Sequence, residues 1–310
     1  MGLVVRDLVK KYGDKTVVDH LSFTMEKPGV YALLGTNGAG KTTSIRMILD
    51  MLVKDEGQVI YNGNPLSIEN TSIGYLAEER GLYPKISLMD QMKYFAGLKG
   101  VPKKEIEERI HYWAERLNLT EYFYPEPVGK KPVKPFRAEQ LSKGNQQKVQ
   151  LMATLISDPQ VIILDEPLSG LDPVNMNIFK EIIHEESNKE KYIIMSSHQM
   201  TTIEEFCTDL TILDKGKVVL QGNLKEIKKS YGRVNLLIKA EADVMPYVKD
   251  MGLKVVNITP EEVNIKLDRE SQAKELLGKL VENDIPILRF EITEPSLHEI
   301  FVEKVGNANE

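Results

Sequence analysis

Eight residues impose the tightest constraint on this chain. Residues 35–42 read GTNGAGKT, the pattern G-x-x-x-x-G-K-[ST], with the apolar run VYALL at 30–34 before them and TSIRMILDML after them. A strand that ends in a glycine-rich loop and continues as a helix is the context this pattern needs to act as a phosphate cradle. Gly35, Gly38 and Gly40 let the backbone curl, so that successive N–H groups face one anion, and the helix N-terminus adds partial positive charge. Gly35, Asn37, Gly38, Ala39 and Gly40 are therefore candidate contacts for a phosphate chain. Lys41 is expected to reach β- and γ-phosphates, and the Thr42 hydroxyl to bind Mg²⁺, with Thr43 beside it.

Two further apolar runs, VIIL at 161–164 and YIIM at 192–195, resemble residues 30–34. Short runs of this kind suit parallel strands covered on both faces, and the helical patterns between them give the α/β class. Asp165 and Glu166 follow VIIL directly. A residue at the carboxyl end of a parallel strand points into the ligand crevice. Asp165 there can hold Mg²⁺, and Glu166, one residue on, can polarise an attacking water. Together with the glycine-rich loop, the pair makes nucleotide hydrolysis the leading reading.

Around this core the patterning changes. Residues 3–9 and 16–24 alternate apolar and polar side chains, as half-buried antiparallel strands do, with Gly13 and Asp14 in the turn between them. Residues 86–120 carry a long amphipathic helical pattern: Leu88, Met92, Phe95 and Leu98, then Ile106, Ile110, Trp113 and Leu117. Residues 124–136 hold four prolines and read as a loop. Residues 82–157 thus read as an inserted, mostly helical subdomain. After KEIKKSYG the order is strand 233–239, helix 245–251, strands 253–258 and 263–268 with a turn at Pro260-Glu261-Glu262, helix 270–283 and strand 287–293. That βαββαβ order is the ferredoxin-like arrangement, with a short helix, 295–304, closing the chain.

Composition narrows the function classes. The 310 residues carry a formal net charge of −6, and no basic domain of the kind a nucleic-acid binder shows stands out. One Cys excludes an intrachain disulfide framework and a Cys-based zinc site. No run approaches the roughly 18 apolar residues of a spanning helix. The N-terminus, MGLVVRDLVKKYGDK, has charges where a signal peptide needs its apolar run, and Arg6 at the sixth position breaks a myristoylation signal at Gly2. These features lead to the expectation of an intracellular chain without a membrane span.

Residues 141–149 read LSKGNQQKV, with Asn145 lying 20 residues before Asp165. SGLD follows at 169–172, and His198 follows YIIM and Ser196-Ser197. Glycine-rich loop, LSxG segment, LDEP, SGLD and His, in this order, resemble the nucleotide-binding subunit of ABC transporters over about residues 1–230. The resemblance implies a P-loop cassette with a mixed-sheet core, an antiparallel β subdomain and a helical subdomain, binding ATP and Mg²⁺. Tyr12 matches the aromatic residue that stacks on adenine. Ser142 and Gly144 match signature residues that contact the γ-phosphate held by a second protomer, and Asp172 matches an aspartate at that dimer interface. His198 matches the histidine that senses the γ-phosphate. The implied assembly is a head-to-tail pair of these chains beneath a separate transmembrane permease, peripheral on the inner face of the cell membrane, with no nucleic acid as partner.

This sequence departs from the family pattern in two segments. The common LSGGQ is LSKGN here; Lys143 reads equally as a solvated lysine or as a residue facing phosphate, and Asn145 keeps an amide. The glutamine that usually ligates the metal is replaced by Glu78 in IGYLAEERGLYP, with Glu79 as the alternative alignment. A carboxylate can still bind Mg²⁺ but adds charge beside the γ-phosphate. Residues 231–310 look like the accessory domain on ATPases of ABC-2 type exporters, and LSKGNQQKV and YLAEERGLYPK also look like that subgroup. That favours export and leaves the accessory domain as either regulatory or dimer-stabilising. Two other readings stand beside transport: an ABC ATPase of DNA repair or of ribosomes, and a regulatory ATP-binding module with little hydrolysis. Only 101 residues separate Lys41 from Ser142, short of the long coiled coil of repair types, and the chain has one cassette where ribosomal types usually have two.

The remaining notable residues take structural readings. Cys207, in the helical pattern IEEFCTDL, reads as a small buried hydrophobe. His20, His111, His184 and His298 lack partners at metal-ligand spacing. Trp113 reads as core, as do Met25, Met47, Met51, Met89 and Met92 as core or interface packing. The lysines at 130–134 read as a solvated loop.

Overall fold

The structure is a computed structural model that describes residues 2–79, 81–127, 133, 136–259 and 262–307, the side chains of 305–307 excepted. It divides into two compact units, Met1–Gln221 and Gly222–Glu310.

The first unit begins with β1 (Leu3–Tyr12), β2 (Lys15–Met25), β3 (Gly29–Gly35) and α1 (Lys41–Ile48). β4 (Glu56–Tyr61), β5 (Asn64–Pro65) and β6 (Ile73–Leu76) follow, then α2 (Leu88–Leu98), α3 (Lys103–Arg116), α4 (Thr120–Phe123) and α5 (Lys143–Leu155). The unit ends with β7 (Val161–Asp165), α6 (Pro173–Asn188), β8 (Tyr192–Ser197), α7 (Met200–Ile203), β9 (Asp209–Asp214) and β10 (Lys217–Asn223), the last running into the second unit. The central sheet has the order β10-β9-β3-β8-β7-β6, and its β9-β3-β8-β7-β6 neighbours all pair in parallel. A second sheet, β2-β1-β4-β5, is antiparallel.

Side-chain alternation across the central strands explains the layering. Tyr31 and Leu33 of β3, Val161 and Ile163 of β7 and Ile194 of β8 share one cluster with Ile45, Met47 and Ile48 of α1 and with Leu3, Val5, Leu21 and Phe23 of the antiparallel sheet. Phe23 stacks on Tyr31 with centroids 4.2 Å apart. Ile162, Leu164 and Ile193 point the other way, against Leu151 and Leu155 of α5 and Ile182 and Ile183 of α6. Both faces of the central strands are thus buried, which is why their sequence reads as unbroken apolar runs.

The long pattern at 86–120 is two helices. Ser87 caps α2, its Oγ accepting the Asp90 N–H at 3.1 Å, and the chain breaks at Pro102 before α3. Trp113 is buried as expected. The lysines of the run at 130–134, and Pro260 and Glu261 of the C-terminal turn, lie outside the described residues.

The second unit opens with α8 (Leu224–Tyr231) and continues β11 (Asn235–Ala240), α9 (Met245–Asp250), β12 (Lys254–Ile258), β13 (Val263–Lys266), α10 (Ser271–Glu282), β14 (Ile287–Thr293) and α11 (Leu297–Asn307). Its sheet order, β12-β13-β11-β14, is antiparallel throughout and is that of a ferredoxin-like fold. Leu236, Ile238 and Ile265 face Val248 of α9 and Leu276 and Leu280 of α10 in a core of its own. Ser296 and Glu299 exchange backbone N–H bonds at the start of α11, Ser296 N to Glu299 Oε2 at 2.7 Å and Glu299 N to Ser296 Oγ at 3.2 Å, a capping box.

Cys207 corrects one expectation. It is buried, but it lies in the coil between α7 and β9, because helical geometry ends at Ile203. Burial, with Glu204 and Asp209 nearby, pushes its thiol up to about 12. The native thiol should stay protonated and unreactive at about pH 8.5, where an ordinary cysteine is near half ionised. Labelling with a chromogenic disulfide reagent should show almost no fast reaction in the native protein and one thiol per chain after denaturation. Equal rates in the two states would show that Cys207 is accessible.

Candidate active site

The loop after β3 is held in shape by close backbone approaches. Gly35 has φ 150° and Gly40 φ 106°. A Cβ at Gly35 would stand 2.3 Å from the Leu213 carbonyl oxygen, and one at Gly40 would stand 2.7 Å from that of Val17. No side chain fits at either position, so the two glycines are demanded by packing as well as by conformation. Gly40 caps α1, and Lys41 is the first residue of that helix. The Lys41 ammonium turns back over the loop, donating to the carbonyls of Gly35 at 2.9 Å and Thr36 at 3.2 Å.

The strand order brings the acidic pair to this loop. β8 lies between β3 and β7, with Ser196 in register with Leu33 on one side and Asp165 on the other. Ser196 Oγ donates to Asp165 Oδ1 at 2.6 Å and accepts the Glu166 N–H at 2.9 Å. Thr42 Oγ1 donates to the same Asp165 oxygen at 3.3 Å. Glu166 Oε1 lies 3.2 Å from Lys41 Nζ, both side chains about 6% exposed. His198 Nδ1 lies 2.9 Å from Glu166 Oε2. The Glu166 backbone sits in the left-handed region at φ 50°. For a residue with a Cβ this conformation costs about 1–3 kcal/mol, and here the Ser196 hydroxyl holds it in place.

Asp165 is fully buried, and burial is the main reason its carboxyl titrates above the usual range; Glu166 pushes the same way, against the hydroxyls of Ser196 and Thr42. Among the described residues its Oδ2 has no hydrogen-bond partner, while Glu166 Oε1 has the Lys41 ion pair. A buried carboxylate oxygen left free beside a threonine hydroxyl is the hard oxygen donor set that Mg²⁺ takes. The residues fit the ion: Thr42 and Asp165 can hold it, and it would neutralise charge on the phosphates.

A cavity of about 280 Å³ opens over these groups, lined by Val17, Asn37, Gly38, Gly40, Lys41, Thr42, Thr43, Glu78 and Glu166. Glu78 therefore faces it, and Glu79 is not part of its lining. Four residues singled out in the sequence lie elsewhere. Tyr12 ends β1 and is half exposed, with Lys10 Nζ 5.4 Å from its ring centre. Lys10 donates to Val53 O at 2.8 Å and Asp55 Oδ1 at 3.1 Å, and Asp55 Oδ2 accepts the Lys11 N–H at 2.6 Å, so Asp55 pins the strand just before Tyr12. Ser142, Gly144 and Asp172 form a separate group. Ser142 Oγ caps α5 by accepting the Asn145 N–H at 3.2 Å. Asp172 caps α6, and its Oδ2 accepts from Asn175 Nδ2 at 2.5 Å. A Cβ on Gly144 would lie 3.0 Å from that same Nδ2. Lys143 is exposed at the start of α5, and Asn145 Nδ2 donates to Tyr122 OH at 3.0 Å.

Sequence reasoning missed Ser196 as the bridge between the carboxylates, and Val17 as a wall of the cavity. The pair Ser196-Ser197 ahead of His198 was the available signal.

Comparisons with known proteins show the family. The sequence profile of the ABC transporter family matches residues 18–169, and that of the C-terminal domain of DrrA1-3-like ATP-binding proteins matches residues 222–305. The uncharacterized ABC transporter ATP-binding protein YhaQ of Bacillus subtilis is 41% identical over 305 residues, 98% of each chain. This chain belongs to the ABC transporter ATP-binding proteins. The ABC transporter ATP-binding protein NatA of Bacillus subtilis is 31% identical, covering 74% of this chain and 92% of its own. The lantibiotic transport ATP-binding protein SrtF of Streptococcus pyogenes is 31% identical over 71% and 90%. A solved ATP-binding subunit of an ABC transporter superposes with TM-score 0.65 at 28% identity, covering 75% of this chain and 94% of that one. This ABC ATP-binding protein has the P-loop cassette fold of its relatives, with an α+β domain after it. Among the described residues, no helix is long and apolar enough to cross a membrane.

Asp165 makes a testable contribution to stability. Burial raises its folded-state pKa, so the folded chain holds this proton more tightly than the unfolded chain does. The stability linked to the group is therefore lost as pH rises through the folded value. Asp165→Asn should raise the melting temperature by a few degrees at about pH 7.5, and the gain should shrink towards the ordinary carboxyl range near about 4. A melting temperature unchanged or lowered at neutral pH would contradict this account.

Proposed function

We propose that this chain binds and hydrolyses ATP to drive a membrane exporter, as one of two copies that close head to tail over two nucleotides and act on a separate permease at the inner face of the membrane. The observation that carries the reading is the convergence of Lys41, Glu166, His198, Thr42 and Asp165 under one cavity.

In this reading the loop N–H groups of residues 35–42 and the start of α1 bind the phosphate chain. Lys41 places its charge on the γ-phosphate and so stabilises charge that develops in the transition state. Glu166, with one oxygen beside Lys41 and the other beside His198, orients a water for in-line attack and takes up its proton. His198 keeps the carboxylate aimed and contacts the γ-phosphate. Thr42 and Asp165, with Glu78 at the cavity wall, would hold Mg²⁺, which would neutralise phosphate charge. Tyr12 stacks on adenine. Ser142, Gly144 and Asp172, grouped away from the cavity, serve the nucleotide of the other copy.

Transport is supported by the lantibiotic transport that gives SrtF its name, and the exporter subgroup by the match of residues 222–305 to the DrrA1-3-like C-terminal domain. We place the second unit as a domain of its own, starting near residue 231 by sequence and near Gly222 by compactness.

Glu166→Gln tests the reading. Turnover should fall by about 10²–10⁴-fold, the usual contribution of a positioned base. ATP binding should persist, and ATP-bound dimers should accumulate in size-exclusion chromatography. Undiminished ATPase activity would remove Glu166 from the catalytic role. Failure of the wild-type chain to bind ATP would remove the function as a whole.

A further inference from the structure

The sheet of the second unit ends in two unlike edges. In the order β12-β13-β11-β14, the outer strands are β12 and β14. An outer strand offers a row of backbone N–H and C=O groups to another strand. At β12 that row is broken, because its register with β13 slips between Val255 and Asn257, in the middle of the strand. At β14 the ladder with β11 runs unbroken from Arg289 to Thr293 and slips only at its start, between Ile287 and Arg289. β14 is therefore the edge on which a further strand can pair.

Its side chains sort by face. Phe290 and Ile292 pack against the core of the unit. Arg289 and Glu291 point the other way, as strand alternation requires, and both are about half exposed. Arg289 Nε donates to Glu291 Oε2 at 2.9 Å. Leu288, next to them, is exposed. The pattern is symmetric about Phe290: opposite charges one place to either side, apolar Leu288 and Ile292 two places to either side. Two identical strands, antiparallel about a two-fold axis through Phe290, set Phe290 against Phe290, Leu288 against Ile292, and Arg289 against Glu291 twice. Other registers fail. An axis at Arg289 or Glu291 sets that charge against itself. An axis at Leu288 or Ile292 sets Phe290 against Pro286 or Glu294. An axis between residues turns the core face of one copy to the outer side of the other.

We infer that the second unit carries a self-association edge: β14 pairs with β14 of a second copy of this chain, antiparallel and centred on Phe290, joining two four-stranded sheets into one. A lone charge on an outer strand repels any strand that approaches. Two opposite charges placed about Phe290 repel the wrong registers and admit one. The contact needs neither nucleotide nor closure of the first units, so its failure leaves the ATP-binding reading standing.

The test uses the full chain without nucleotide, in EDTA, with association read by sedimentation velocity over a concentration series. Wild type should form dimers. Arg289→Glu alone and Glu291→Arg alone each set like charges against each other twice, and each should weaken self-association at least about tenfold. An equimolar mixture of the two variants should recover wild-type association, because every opposed charge then meets its opposite. Melting curves matching wild type would show that both variants are folded. A second measurement is cross-linking under mild oxidation. Phe290→Cys should join chain to chain, since directly opposed residues lie within disulfide reach, whereas Arg289→Cys and Glu291→Cys should not, each lying diagonally from itself at about 7–8 Å. Native Cys207 is buried and leaves the background silent. A wild type that stays monomeric at every concentration, single variants that associate as wild type does, a mixture that fails to recover, or cross-linking favoured at 289 or 291 would each overturn the inference.

Discussion

The contact on which the rest of the first unit depends is the buried pair Lys41–Glu166. Two charges taken out of water are costly unless each has further partners. Lys41 finds them in the Gly35 and Thr36 carbonyls, which is possible because the loop curls back within reach of its own first helical residue. Glu166 finds His198 on its far side. Both carbonyls come from the end of β3 and the loop after it, the carboxylate from just beyond β7, and the imidazole from just beyond β8. Only a sheet in which β8 separates β3 from β7 can gather all three. Strand order and charge pairing are therefore one constraint seen at two scales.

Ser196 shows how little of that constraint is written locally. Its hydroxyl satisfies Asp165 and the strained Glu166 backbone together, because its register places it beside Asp165. In sequence it is one of two adjacent serines, with nothing to separate it from Ser197. The apolar runs of β3, β7 and β8 were legible because both faces of each strand are covered. β4 and β10, whose residues are largely half-buried or exposed, leave no such run and were not identified. The ferredoxin-like order of the second unit was legible from alternation, since one face of each of its strands meets α9 and α10. Cys207 was misplaced into a helix because Ile203 and its neighbours carry a helical pattern that the chain abandons before β9. The motif residues were legible by spacing. Their division into two groups, one at the cavity and one around Asp172, was not, since spacing carries no distance.

That division has its own physical cause. Gly144 can lie against Asn175 only because it has no side chain, and Asn175 is fixed by Asp172, the cap of α6. Ser142 in turn caps α5. Two helix starts are thereby locked side by side; at α6 Pro173 has no N–H and Asp172 takes those of Val174 and Asn175, so it is the start of α5 that offers N–H groups on this surface. Such a surface favours anions. Within the same chain it is not part of the cavity lining. On the proposed pairing, a two-fold axis would bring this surface to the partner's cavity and the partner's to this one, so that one contact made twice completes both sites.

The cavity itself is built against its own stability. Asp165 is buried with an oxygen unpaired among the described residues, Glu166 holds a left-handed backbone, and Lys41 is a buried cation, all within six residues of the strand ends. Each feature costs free energy in the folded protein, and none is needed by the hydrophobic layers beneath, where Tyr31, Leu33, Ile163 and Ile194 already fill the core. Misfit of this kind, confined to the rim of a well-packed sheet, is what a site shaped for a highly charged ligand looks like before the ligand contributes its own charges.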